Sequence, residues 1–201
     1  MGQSPEPTEG TYMGIRRTHL SREAAVALVF MLALTLAGCG GDDTDETPSQ
    51  PPATDAPSPL ADIVYTNPKP PFTVSYPGTW LQMGRPTPTQ PIAAGSATGE
   101  NMNVSLEKLP KPEPTLEEYS SSAQAQLQAL DLSIDDTGEA TLGGEPAAFI
   151  QTTGSGGQKV TLWQVFSLKN GYAYVLTYGA PPEAFDEASA QQIADSFSFS
   201  G

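Results

Sequence analysis

The hydrophobic pattern divides the chain into three regions. Residues 24–37 are almost wholly apolar, residues 40–70 contain very few apolar side chains, and short alternating runs begin near residue 71. Alternation of apolar and polar side chains with a period of two is typical of half-buried strands. The pattern therefore predicts a folded domain over residues 71–201, preceded by a segment that does not pack and by an apolar leader.

Strands and turns follow one another through the predicted domain. Alternating runs predict strands at 72–76, 102–107 and 172–178, a short strand at 139–142, and a loop over 84–100. Asn170-Gly171 is typical of a two-residue hairpin turn. The run 159–168 carries apolar side chains on both faces, which indicates a central strand that is covered on each side.

Two helices are predicted to lie against this sheet. Thr115 and Glu118 have the spacing of a capping box, and the apolar stripe that follows predicts a helix from Leu116 to Leu130. Pro182 suits the first turn of a second helix, whose apolar stripe begins at Phe185. Together these elements predict a single α+β sandwich.

The order of these motifs resembles the PsbP-like family, to which the extrinsic photosystem II subunit PsbP belongs. The motifs that carry the resemblance include Phe72-Thr73-Val74-Ser75-Tyr76-Pro77-Gly78-Thr79-Trp80, Leu162-Trp163-Gln164-Val165-Phe166 and Ala194-Asp195-Ser196-Phe197. The resemblance covers residues 72–199 and implies an α/β/α sandwich with a central, mostly antiparallel sheet. It implies no shared catalytic residues, because members act mainly as binding or assembly modules.

The first 38 residues have the order of a secretory signal peptide. Basic side chains, including the pair Arg16-Arg17, precede the apolar run 24–37, which is shorter than the roughly 20 residues that span a bilayer. Either Sec or twin-arginine export fits this order, and translation begins at Met1 or Met13.

The end of this signal, Leu36-Ala37-Gly38-Cys39, resembles the lipobox of bacterial lipoproteins. The resemblance implies cleavage after Gly38 and a diacylglyceryl group on the Cys39 thiol. Two acyl chains give stable anchoring, whereas one chain gives only marginal binding. The membrane is therefore an expected partner, through the lipid at Cys39, and the domain is expected on the extracytoplasmic face, at the cell surface or in the periplasm.

Residues 39–70 are predicted to be the lipidated cysteine and a disordered tether. The segment is rich in Asp, Thr, Ser and Pro, and such a composition buries too little apolar surface to offset the entropy of ordering. Its prolines favour the extended polyproline II conformation. The predicted role is that of a spacer between the membrane and the domain.

Composition and charge narrow the classes of function. The formal net charge of -14 argues against nucleic acid as a partner, because phosphate backbones are bound by clustered positive charge. The one histidine, His19, lies in the signal, and the one cysteine is the predicted acylation site. A chain processed at Cys39 therefore has neither imidazole nor free thiol for a catalytic triad or a zinc site, and no cofactor is expected.

Oxygen-bearing side chains offer one candidate site. Asp131, Asp135 and Asp136 cluster after the first predicted helix and are candidates for weak binding of Ca²⁺, which prefers carboxylate oxygens. As paired carboxylates they are also candidates for acid–base chemistry. The alternative is a solvated turn, since the glycine and the distal glutamate of an EF-hand loop are missing.

Aromatic side chains offer a second candidate site. Tyr172, Tyr174 and Tyr178 share one face of a predicted strand. They would line a groove for a peptide or a glycan if the covering helix left a gap, and they would otherwise belong to the core.

These observations predict a lipid-anchored extracytoplasmic binding or accessory module that is not an enzyme and that binds another protein. Two alternatives remain open. One is a photosystem II-associated assembly factor, if the source is photosynthetic, and the other is a carboxylate-based hydrolase.

Overall fold

The computed structural model of the protein describes residues 61–154 and 159–200. This part of the chain forms ten strands and two helices. The strands are β1 (Ile63–Pro68), β2 (Pro71–Tyr76), β3 (Leu81–Gln82), β4 (Ile92–Gly95), β5 (Asn101–Lys108), β6 (Leu132–Leu142), β7 (Glu145–Gly154), β8 (Thr161–Lys169), β9 (Tyr172–Ala180) and β10 (Ser198–Phe199). The helices are α1 (Leu116–Ala129) and α2 (Glu187–Asp195).

The strands form two antiparallel sheets. The larger sheet has seven strands in the order β3-β4-β5-β9-β8-β7-β6, and the smaller has the order β1-β2-β10. Strands β6 to β9 pair consecutively, and the predicted Gly143-Gly144 and Asn170-Gly171 turns join β6 to β7 and β8 to β9. The predicted α+β fold with a mostly antiparallel sheet is confirmed.

Both faces of the seven-stranded sheet are covered. Helix α1 lies on one face, where Tyr119 and Leu127 pack with Phe166 of β8. On the other face, α2 and the small sheet enclose a larger core that includes Phe72 of β2 and Trp163 of β8. Because β8 contributes side chains to both cores, the prediction of a doubly covered central strand is confirmed.

The start of α1 is fixed by the predicted capping box. The backbone N–H of Thr115 donates to Oε2 of Glu118 at 2.8 Å, and the backbone N–H of Glu118 donates to Oγ1 of Thr115 at 3.2 Å. The helix ends at Ala129, and Leu130 leaves the helical conformation as its carboxyl-terminal cap. Leu130, which the sequence placed on the buried face, is therefore 55% exposed.

The domain begins earlier than the sequence predicted. Residues 63–68, inside the predicted tether, form β1 and pair with β2 along their whole length. The ring of Tyr65 packs 6.1 Å from that of Phe72, and the buried Asn67 donates through Nδ2 to the carbonyl of Pro70 at 2.7 Å. The β-branched and aromatic residues of β1 favour a strand, but the surrounding Pro-rich composition masked that signal.

Two further boundaries differ from the prediction. The predicted loop 84–100 contains β4, whose Ala and Gly residues give a weak strand signal. Helix α2 begins at Glu187 rather than at Pro182, because the carboxylate of Asp186 accepts from the backbone N–H groups of Ala188 and Ser189 and caps the helix there.

Strand β6 is longer than the predicted strand 139–142 and contains a bulge. Its register with β7 shifts between Ile134 and Asp136. Before the bulge, Leu132 and Ile134 face the core under α1; after it, Leu142 faces the larger core. The extra residue therefore turns the apolar side chains of the second half of β6 to the opposite face of the sheet.

Candidate functional site

The tyrosines of β9 lie mainly in the core. Tyr174 and Tyr178 are fully buried, and Tyr172 is half-buried. The ring of Tyr174 meets the ring of Phe199 edge-on at 4.8 Å, and the ring of Tyr178 stacks 6.3 Å from Trp80. The groove expectation is corrected accordingly, because aromatic side chains from β10 and from the β2–β3 turn fill the space above these two rings.

Tyr178 ends in a polar group at the margin of the core. Its hydroxyl donates to Oε1 of Glu100 at 3.3 Å, while Oε2 of Glu100 accepts from the hydroxyls of Ser96 and Thr98. Burial and the charge of Glu100 raise the pKa of Tyr178 to about 12, so the phenol stays protonated at neutral pH. These hydrogen bonds hold residues 96–100 against β9, and the carboxylate of Glu100 accepts from three hydroxyl donors.

A second carboxylate–phenol pair joins β5 to α1. The hydroxyl of Tyr119 donates to Oε2 of Glu107 at 3.0 Å. Burial raises the pKa of the Glu107 carboxyl, and the hydrogen bond from Tyr119 offsets part of this effect. Sequence analysis missed both pairs, because nothing local to Glu107 or Glu100 shows that a tyrosine will pack beside it.

Replacing Glu107 by glutamine is expected to change how stability depends on pH. The carboxyl has an ordinary pKa of 4.5 and a higher pKa in the fold, so the folded state binds more protons between these values. Stability therefore falls as pH rises through this window in the wild-type chain, and Glu107→Gln removes that contribution. Urea unfolding from pH 4 to pH 7 measures it, because the free energy of unfolding falls by roughly 1–3 kcal/mol for each molar increase in urea.

The matched control for this prediction is Glu139→Gln, which changes an exposed glutamate on β6. As pH rises, we expect the wild type to lose free energy of unfolding relative to Glu107→Gln. The difference between wild type and Glu139→Gln should change less over the same pH range. Parallel profiles for all three proteins would contradict a half-buried, proton-linked carboxyl at Glu107.

Two of the three aspartates after α1 have local hydrogen-bond partners of their own. Asp131 lies in the turn into β6 with a φ of 58°, and Asp135 accepts from the hydroxyl of Thr153 at 2.7 Å. Asp136 accepts from the backbone N–H of Thr137 at 2.8 Å. Within residues 61–154 and 159–200, no three His, Cys, Asp or Glu side chains come together to hold a metal ion.

The described residues therefore do not bring Asp131, Asp135 and Asp136 together as a Ca²⁺ site, and the separate partners of Asp135 and Asp136 give no support to the hydrolase alternative. Asp135 and Asp136 belong to an edge strand rather than to a solvated turn. Charged side chains on an edge strand discourage pairing with other chains, which is a structural reason for their presence.

Four exposed apolar side chains lie in β1 and in the segment that follows β2, a feature that sequence analysis did not single out. Val64 of β1 is 64% exposed and Leu81 of β3 is 76% exposed. Ile63, next to Val64 in the chain, and Met83, two residues after Leu81, are also exposed. Ile63 pairs with the last residue of β2, and a tight turn leads from there to Leu81. We call these four residues the apolar end.

The predicted acylation and cleavage residues, Cys39 and Gly38, lie outside the described residues. Among the helices that the structure does describe, neither is long and apolar enough to cross a membrane. Lipid attachment at Cys39 therefore stays a prediction.

Similar proteins are found by structure rather than by sequence. No family model and no curated protein matches the sequence. Cyanobacterial PsbP (CyanoP) from Synechocystis sp. PCC 6803 superposes with a TM-score of 0.55, covering 74% of this chain and 98% of its own, at 11% identity.

Two further solved structures are similar. LpqN, involved in cell envelope biogenesis of Mycobacterium tuberculosis, has a TM-score of 0.52 and 16% identity, with 70% of this chain and 91% of LpqN covered. The Ran-binding protein Mog1p of Saccharomyces cerevisiae has a TM-score of 0.51 and 11% identity, with 70% and 96% covered. At such identities the likeness concerns the fold, and the described domain has the PsbP-like fold that the motif order predicted.

Proposed function

We propose that this chain is a lipid-anchored extracytoplasmic module that binds another protein and performs no reaction of its own. The observation that carries the proposal is the motif Leu36-Ala37-Gly38-Cys39 at the end of a basic and then apolar leader. Acylation of Cys39 would leave residues 40–60 as the link between the bilayer and the first strand of the domain, β1.

The uses of the polar side chains support a binding rather than a catalytic role. Glu118 and Asp186 cap the two helices, and Glu145 pairs with Lys169 across the sheet. The carboxylates of Glu100 and Glu107 are engaged by hydroxyl groups. These groups stabilise the fold, which leaves the outer surface as the part of the domain available for recognition.

The fold supports a protein as the partner, by analogy with Mog1p, which is described as a Ran-binding protein. The photosystem alternative has only the fold of CyanoP in its favour, at 11% identity, and we do not adopt it.

Cys39→Ser is expected to abolish membrane attachment. The protein extracted from wild-type membranes should begin at Cys39 and carry the mass of a diacylglyceryl group, because the thiol is the acyl acceptor. The variant should lack this mass and leave the membrane fraction. Intact-mass spectrometry and membrane fractionation measure both.

The control adds Ser49→Cys to Cys39→Ser, which keeps one thiol in the chain but places it outside the motif. It should also lack the acyl group. A native polypeptide that begins upstream of Cys39 without acyl mass would overturn the anchor.

The binding role is tested by crosslinking the anchored protein in intact cells and identifying what it captures. One recurrent protein partner is the expected result. Turnover of an ester, glycoside or phosphoester by the purified protein would contradict the non-catalytic role.

A further inference from the structure

The apolar end lies where the chain enters the domain. Ile63 and Val64 are the first residues of β1, and only Ala61 and Asp62 precede them in the described chain. Leu81 and Met83 are one turn away, after the end of β2. The link from Cys39 therefore reaches the domain at its most exposed apolar surface.

The two parts of the described chain differ in charge. Asp62 and Arg85 lie next to the apolar end in the chain and have opposite charges, and Lys69 lies at the other end of the β1–β2 hairpin. Residues 100–200 contain fourteen acids and four lysines. Anionic lipid headgroups repel this acidic part more strongly than the apolar end, which favours an orientation with the apolar end towards the membrane.

Anchoring makes even a weak contact effective. A short link holds the domain at an effective concentration of about millimolar near the surface, so a weak affinity keeps it docked for much of the time. Exposed apolar side chains such as Leu81 are removed from water when they enter the headgroup region, which favours docking.

We propose that the apolar end docks onto the lipid bilayer to which Cys39 anchors the chain. The inference rests on the proposed anchoring and adds an orientation to it. With Ile63, Val64, Leu81 and Met83 in the membrane surface, α1 and β6 are carried at the far side of the seven-stranded sheet, where a protein partner can reach them.

The test uses the full-length chain, acylated in cells, with one added thiol. Leu81→Cys provides the only free thiol, since Cys39 is acylated, and a maleimide derivative of the dye NBD labels it. The labelled protein is placed in phosphatidylcholine–phosphatidylglycerol vesicles, with and without doxyl-labelled lipid. Docking predicts a blue shift and quenching by the doxyl group.

Leu130→Cys is the matched control. Leu130 is also an exposed leucine, but it follows α1 beside β6, at the opposite edge of the sheet from β3. Six strand spacings separate the two edges, about 29 Å. The dye at position 130 should keep the emission of a water-exposed probe and escape quenching.

The other outcomes overturn the proposal in distinguishable ways. Equal, water-like emission at both positions in protein that carries the acyl mass refutes docking and leaves the anchor intact. Shielding of position 81 in the unacylated Cys39→Ser protein without vesicles indicates a second copy. Shielding in cells but not on vesicles indicates a protein partner. A Cys39 without acyl mass refutes the anchor and the docking together.

Discussion

Replacing Phe72 by alanine is expected to lower the free energy of unfolding by about 3–5 kcal/mol. Phe72 is fully buried and stacks on Phe197 at 5.1 Å, while the ring of Tyr174 meets it edge-on at 6.1 Å. It belongs to β2, so its side chain joins the small sheet to the large one. The change leaves a cavity that rigid aromatic neighbours fill poorly.

This loss is large relative to the whole stability of a domain, which is typically about 5–15 kcal/mol. Urea unfolding of the Cys39→Ser protein, followed by circular dichroism, measures it. Leu130→Ala is the control and should cost less than about 0.5 kcal/mol, because Leu130 is mostly exposed. Equal effects of the two changes would show that the small sheet contributes little to stability.

Gly143→Ala is expected to cost about 2–4 kcal/mol, the sum of a left-handed backbone and an overpacked contact. Gly143 has a φ of +60°, and a Cβ added there would lie 2.6 Å from Cδ2 of Phe199. Because Gly143 has no side chain, the β6–β7 turn can pack closely against β10.

The adjacent Gly144 separates the two costs. Its φ is +80°, but nothing lies within 4 Å of an added Cβ. Gly144→Ala should therefore show only the backbone cost, about 1–2 kcal/mol. Urea unfolding of both variants measures the difference, and equal losses would contradict close packing of Phe199 on the turn.

Local signals in the sequence predicted much of the fold. Asn170-Gly171 forms the β8–β9 hairpin with positive φ at both residues, as its turn type requires. Thr115 and Glu118 form the capping box that starts α1. Such features depend on a few neighbouring residues, so they can be read without knowing the rest of the fold.

The candidate sites depended on contacts distant in sequence and were less predictable. Tyr174 and Tyr178 alternate along a strand, and this pattern fits a covered core as well as an open groove. Phe199, which covers Tyr174, comes from a strand 25 residues later in the chain, and Trp80, which covers Tyr178, comes from a turn almost 100 residues earlier. The pairing of Glu107 with Tyr119 likewise follows from how α1 crosses β5.

The bulge between Ile134 and Asp136 limits how this domain can change length during evolution. Leu132 and Leu142 face opposite cores only because one extra residue separates the two halves of β6. An insertion or deletion in that stretch turns one half to the wrong face, whereas the exposed loop segment 84–88 can gain or lose residues without disturbing either core.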